Sequence, residues 1–170
     1  EGGLFPHRSI ADNVATVPRL EGATKQASRE RALELLELVG LETEMADRYP
    51  AQLSGGQRQR VWIAMVLAQS TDIVLLDEPT TYLDLNHQLE VLRLARRLQA
   101  DGRTIVAVLH DLHLAFRYAT HLVCMKEGRI VAQGAPSDIV TPALIEAVFD
   151  VPCVIIEDPQ TGSPLVVPRP

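Results

Sequence analysis

Apolar residues along the first 70 positions recur at helical spacing, and beyond residue 72 they gather into short unbroken runs. SIADNVATV reads as one short helix opened by Ser9. It lies within residues 1–28, whose Gly2, Gly3, Pro6 and Pro18 otherwise suggest surface loop. From Ser28, RERALELLELVG places Leu33, Leu36 and Val39 on one stripe and stops at Gly40, a residue suited to a helix C-terminus. After Pro50, LSGGQRQRVWIAMVLAQS passes from small polar residues into an apolar helix of about four turns. That helix is expected in the core.

Three apolar runs follow: IVLLD at 73–77, TIVAVLH at 104–110 and HLVCMKEGRIVAQG at 121–134. The first two are rich in β-formers and flank a helical stretch from Leu85 to Ala100, the alternation of a parallel sheet with crossover helices. Lys126-Glu127-Gly128 interrupts the third run as a hairpin turn would. Ser137 and Pro142 open helical turns up to Phe149, and the tail reads as a hairpin around Thr161-Gly162. The pattern divides into residues 1–70 (helical), 71–135 (sheet core) and 136–170 (terminal helices and hairpin).

With 170 residues, 46% of them hydrophobic, the chain can bury one substantial core. A formal net charge of −6 argues against nucleic acid, whose binders need a basic face. No apolar run approaches the roughly 20 residues of a membrane span, and the N-terminus lacks signal-peptide form. A soluble chain is expected. Cys124 and Cys153 sit far apart in apolar surroundings, which suits buried thiols in a reducing compartment.

The chemistry gathers at four places. In LSGGQ, Ser54 carries a hydroxyl while Gly55 and Gly56 leave backbone N–H groups bare at a helix start, an arrangement able to clamp an anion. A plain reading makes Ser54 a helix cap and nothing more. IVLLDE buries four apolar residues and releases Asp77 and Glu78 at a strand's C-terminal end, where open α/β sheets bind ligands. Leu83-Asp84 precedes a helix that Asp84 can cap. His110 closes the second run; His113 follows three residues later without a third metal ligand in view.

In this order and spacing, LSGGQ, IVLLDE, Leu83-Asp84 and His110 resemble the ATP-binding-cassette (ABC) ATPases over nearly the whole chain. The resemblance implies part of an α/β, P-loop NTPase-like fold: the helical subdomain and the C-terminal half of the parallel-sheet core. It also implies binding and hydrolysis of ATP with Mg²⁺. By the same resemblance Ser54, Gly55, Gly56 and Gln57 form the signature that closes on a γ-phosphate held by a second ATP-binding subunit. Asp77 belongs on the Mg²⁺ ion, usually through water, and Glu78 on the attacking water as general base. Asp84 lies in the D-loop that couples the two composite sites, although Thr81 stands where many members have serine. His110 matches the switch histidine that reaches the γ-phosphate. The implied partners are that second subunit, transmembrane permease subunits and, indirectly, a substrate-binding protein. The implied location is cytoplasmic, peripheral on the inner face of the membrane.

A phosphate-binding loop needs G-x-x-x-x-G-K-S/T, and neither Lys25, after Thr24, nor Lys126, after Met125, fits it. By register with the family, Glu1 follows the Q-loop glutamine. This polypeptide alone is therefore expected to bind ATP weakly or not at all, and to leave a sheet edge and apolar face uncovered. LFPHRSIADNVATVPRL resembles osmoprotectant (glycine betaine) importers, whereas VWIAMVLAQ, TTYLDLNHQLEVL and GSPLVVP resemble iron–siderophore importers; the longer match favours the siderophore type. The mismatch raises a recombined or engineered chain. Phe5, by the same family register, borders the groove for a permease coupling helix or packs inside the helical subdomain. The rival readings are a soluble ABC ATPase acting on DNA or ribosomes, which the absence of coiled-coil insertions and tandem cassettes disfavours, and an inert fragment.

Overall fold

Ser9 opens the first helix as its spacing predicts: its hydroxyl accepts from the Asp12 N–H at the head of α1 (Ile10–Val14). The computed structural model describes residues 3–81 and 83–170. Within them the chain falls into two compact units, one ending at Val108 and the other Leu109–Pro170.

In the first unit α1 leads into α2 (Thr16–Leu20), α3 (Lys25–Leu38) and α4 (Gly55–Leu67). The third helix starts earlier than the apolar pattern suggests because Thr24 caps it, and it ends where Gly40 takes a φ of 74°. Its buried line runs through Ala32, Leu35, Leu36 and Val39, while Leu33 is only partly covered. Spacing alone had put Leu33 on the inner stripe. Leu33 does pack against the helical core, partly covered, and contact of α3 with both α1 and α4 buries Leu35 as well. Ile10, Val14, Val61, Ile63 and Leu67 complete the centre of this helical core.

Strand β1 (Ile73–Asp77) and strand β2 (Thr104–Val108) pair in parallel from Ile73↔Thr104 to Asp77↔Val108, joined by α5 (Leu85–Ala100). The crossover expected from the alternating pattern is present. Val74 and Leu76 face inward and join the helical core, with Val91, Leu94 and Leu98 of α5. Ile73, Leu75, Val106 and Val108 are each at least half exposed. This sheet therefore carries an open apolar face, whereas parallel sheets are normally covered on both sides.

In the second unit α6 (Leu112–Tyr118) precedes the hairpin of β3 (Leu122–Lys126) and β4 (Arg129–Gly134). Glu127 and Gly128 both have positive φ, 51° and 76°, as a two-residue hairpin turn of the favoured hand requires. Helices α7 (Pro136–Ile139) and α8 (Pro142–Phe149) and a terminal hairpin, β5 (Cys153–Glu157) with β6 (Pro164–Pro168), complete it. Phe116, Val140, Ile145, Cys153 and Val166 form its core. Cys153 is buried and Cys124 is half-buried, both as free thiols.

Candidate functional site

The LSGGQ turn is built as a reciprocal cap. Leu53 is buried and anchors the turn; Ser54 is extended, and its hydroxyl accepts from the Gln57 N–H at 3.2 Å. The Gln57 side-chain oxygen accepts in return from the Ser54 N–H at 3.0 Å. The capping reading of Ser54 is thus realised in the structure, and the Gln57 carboxamide is engaged with it. The first-turn N–H groups of Gly55 and Gly56 lack intrahelical acceptors, as at any helix start.

The two glycines differ in their surroundings. Around Gly55 there is open space, so its backbone is accessible. Gly56 is buried beneath the His87 ring, and a Cβ placed there would lie 2.5 Å from His87 Cδ2. Only glycine permits that approach.

Asp77 is the last residue of β1 and is exposed at the carboxyl end of the parallel pair. Glu78 follows with φ 47°, a left-handed backbone that costs a non-glycine residue about 1–2 kcal/mol. Its N–H donates to Val108 O at 3.1 Å, prolonging the ladder by one bond. Its carboxylate accepts from the Thr81 hydroxyl at 3.1 Å, and its carbonyl accepts from the Thr81 N–H at 3.1 Å. Pro79 and Thr80, both buried, close this turn. Glu78 is half-buried, and its left-handed backbone is the kind of local conformation that clusters at functional sites.

Asp84 caps α5: one carboxylate oxygen accepts from the His87 N–H at 3.0 Å and the other lies 2.7 Å from His87 Nδ1. The His87 amide, and then its ring, hold the Asp84 carboxyl below the ordinary carboxylate value. His87 thus touches both the signature turn and the Leu83-Asp84 loop. Sequence reading passed over it, although its place three residues after a helix-capping Asp was the available signal. Thr81, seen only as a departure from serine, proves to hold Glu78.

His110 lies two residues beyond β2 rather than within a strand, is exposed, and precedes Asp111, the cap of α6. It belongs to the second unit, while Ser54–Gln57, Asp77, Glu78 and Asp84 belong to the first. Phe5 is 41% exposed, with the Arg8 guanidinium 4.8 Å from its ring centre. Among the described residues no three His, Cys, Asp or Glu side chains gather as a metal site. A single carboxylate at a rigid strand end suits Mg²⁺ only where water and phosphate oxygens supply the other ligands. Nor is any helix among the described residues long and apolar enough to cross a membrane.

Residues 1–81 match the family described as ABC transporter. The chain is 53% identical over 167 residues to the ferric enterobactin transport ATP-binding protein FepC of Escherichia coli (strain K12), covering 98% of this chain and 58% of that protein. It is 47% identical over 143 residues to the glycine betaine uptake system ATP-binding protein YehX of the same organism, covering 82% and 46%. Among solved structures, an inward-facing putative metal-chelate type ABC transporter matches all of the chain and 70% of that chain, at 26% identity and a TM-score of 0.85. A dimeric ATP-binding cassette in a post-hydrolysis state with ADP and Pi matches 78% of this chain and 59% of its own, at 35% identity and a TM-score of 0.68. The chain thus spans little more than half the length of FepC and less than half of YehX.

Proposed function

We propose, from a chain that has part of the ABC ATPase fold and is homologous over nearly its whole length to siderophore-importer ATP-binding proteins, that these residues supply the signature, acidic-strand and switch parts of an ATP-hydrolysing importer subunit. The observation that carries the proposal is the acidic pair. Asp77 ends a parallel strand, and Glu78 beside it is held in a left-handed backbone by bonds to Val108 and Thr81.

In this reading Glu78 takes the proton of the attacking water as that water approaches the γ-phosphate. Asp77 would hold a Mg²⁺ ion, in part through water, and that ion would offset charge on the phosphate oxygens. The amides at Gly55 and Gly56 meet the γ-phosphate carried by a second subunit; the helix N-terminus favours negative charge there. Ser54 and Gln57 shape that turn through their reciprocal cap, Asp84 couples the composite sites, and His110 senses the γ-phosphate. The cargo is an iron–siderophore complex, in keeping with the higher identity and coverage of the ferric enterobactin protein than of the glycine betaine one. A second cassette, permease subunits at the inner face of the membrane and, indirectly, a substrate-binding protein are the proposed partners; residues 1–70, 71–135 and 136–170 are the proposed divisions.

The test is Glu78→Gln in the full-length protein. Hydrolysis is expected to fall by about 10²–10⁴, or about 3–5 kcal/mol of barrier, with ATP still bound and the dimer stabilised by it. Unchanged turnover rejects Glu78 as the base. Loss of iron–siderophore uptake with intact glycine betaine uptake in a strain carrying the variant assigns the cargo; the opposite pattern reverses it.

A further inference from the structure

We propose that His87 is a positioning residue that holds the signature turn and the Leu83-Asp84 loop as one body, so that a displacement of either is shared by the other. The proposal rests on the ATPase reading above and adds to it a residue outside its four motifs.

Three contacts carry it. The His87 ring lies on Gly56, the second glycine of the signature, so closely that any side chain there would displace it. The Nδ1 of the same ring binds one oxygen of Asp84, and the other oxygen of Asp84 caps the His87 amide. Both carboxylate oxygens are thereby fixed on one residue. The Cγ–Cδ2 edge of the ring is what lies nearest Gly56.

Neighbouring bonds extend the linkage at both ends. One turn further along both helices, Arg60 of α4 pairs with Glu90 of α5 at 2.7 Å, a second link between them, and Arg60 also donates to Gly40 O at 3.1 Å. On the next residue, the Gln88 carboxamide donates to Leu83 O at 3.0 Å and to Thr80 O at 3.4 Å. Thr81, beside Thr80, holds the Glu78 carboxylate. A continuous series of contacts therefore runs from the signature turn through His87 and α5 to the acidic pair, and His87 is the member that touches the signature.

Gly56→Ala, His87→Ala, their combination and His87→Asn in the full-length protein test this, with kcat and KM for ATP measured for each. His87→Ala is expected to lower kcat about tenfold with little change in KM, because it loosens the turn without touching bound nucleotide. His87→Asn, whose side-chain N–H can reach Asp84, is expected to recover most of that loss. Gly56→Ala is expected to lose about 100-fold alone, yet cost little more once the ring is gone. Wild-type kcat in His87→Ala, or strictly additive losses in the combination, overturns the proposal. Should His87→Ala fail to fold, the comparison of Gly56→Ala with Gly56→Ala/His87→Asn decides by the same non-additivity. An inactive wild-type protein instead removes the ATPase reading, so the two failures are distinct.

Discussion

Asn13 and Phe5 bind each other twice: the Phe5 N–H donates to the Asn13 side-chain oxygen at 2.7 Å, and the Asn13 amide nitrogen donates to Phe5 O at 3.1 Å. The same nitrogen reaches Arg8 O and Ser9 O, and Asn13 is only 1% exposed. One buried carboxamide thus ties the loop carrying Phe5, Pro6 and His7 to α1. Asn13→Leu strands the Phe5 amide and the loop carbonyls without their partner, so a loss of about 1–3 kcal/mol is expected in denaturant unfolding. Faster hydrogen exchange at the Phe5 amide is the local check. A neutral result would show that water replaces the carboxamide.

Asp12 gives the first unit an acid-sensitive contact. The Arg19 guanidinium, 2.7 Å away, lowers its carboxyl below the ordinary value, with the Ser9 hydroxyl adding to the shift and partial desolvation opposing it. A depressed folded value means that the stabilisation is fully present above the unfolded pKa, about 3.9, and fades as pH falls through the lower folded value. Both side chains are about one-third exposed, so solvent screening limits the contribution to about 1 kcal/mol or less. Unfolding curves of wild type and Asp12→Asn between pH 2 and 7 should differ near neutrality and converge in acid.

The signature cap has a stability role separable from any role toward nucleotide. Ser54→Ala removes the acceptor for the Gln57 N–H and is expected to cost about 1 kcal/mol. Ser54→Asp keeps an acceptor in the same place and should regain most of this in thermal unfolding, while placing a negative charge where the proposed γ-phosphate approaches. Recovered stability with lost hydrolysis in the full-length protein would separate the two roles.

The open face of β1 and β2 should govern how a polypeptide of residues 1–170 behaves in solution. Ile73, Leu75, Val106 and Val108 present adjoining apolar side chains on parallel strands, a surface prone to association. Leu75→Thr with Val106→Thr keeps β-formers at both positions and removes much of that surface. Light scattering should show a smaller mean mass for the double variant at equal concentration. Identical, concentration-independent masses would mean that this face does not drive assembly.

Much of the architecture was legible because its causes are local. Ser9 and Asp84 cap helices through their own side chains, Pro142 opens α8, Glu127-Gly128 turns a hairpin on two left-handed residues, and the alternation of short apolar runs with a long helix announces a parallel crossover; Ser137, expected to open a helix, instead lies inside α7, which begins at Pro136. The order of LSGGQ, IVLLDE, Leu83-Asp84 and His110 was equally readable, since spacing in sequence carries it. On α3 spacing found Leu36 and Val39, and Leu33 partly covered beside them, but missed Leu35; the inner face of a helix packed on two neighbours is wider than one stripe.

By itself the sequence determined which residues carry charge, where glycines free the backbone, in what order helices and strands follow one another, and which family the chain resembles. Only the tertiary structure decided that Gly56 serves a neighbouring ring while Gly55 stays open, that Glu78 is bent out of its strand and held by Thr81, and that Asp84 spends both oxygens on His87. The physical reason is one of range. Caps and turns satisfy groups a few residues apart, whereas the approach of α5 to α4 follows from burying Val61, Leu67, Val91 and Leu94 in one shared core, a sum over many side chains that no short motif spells out.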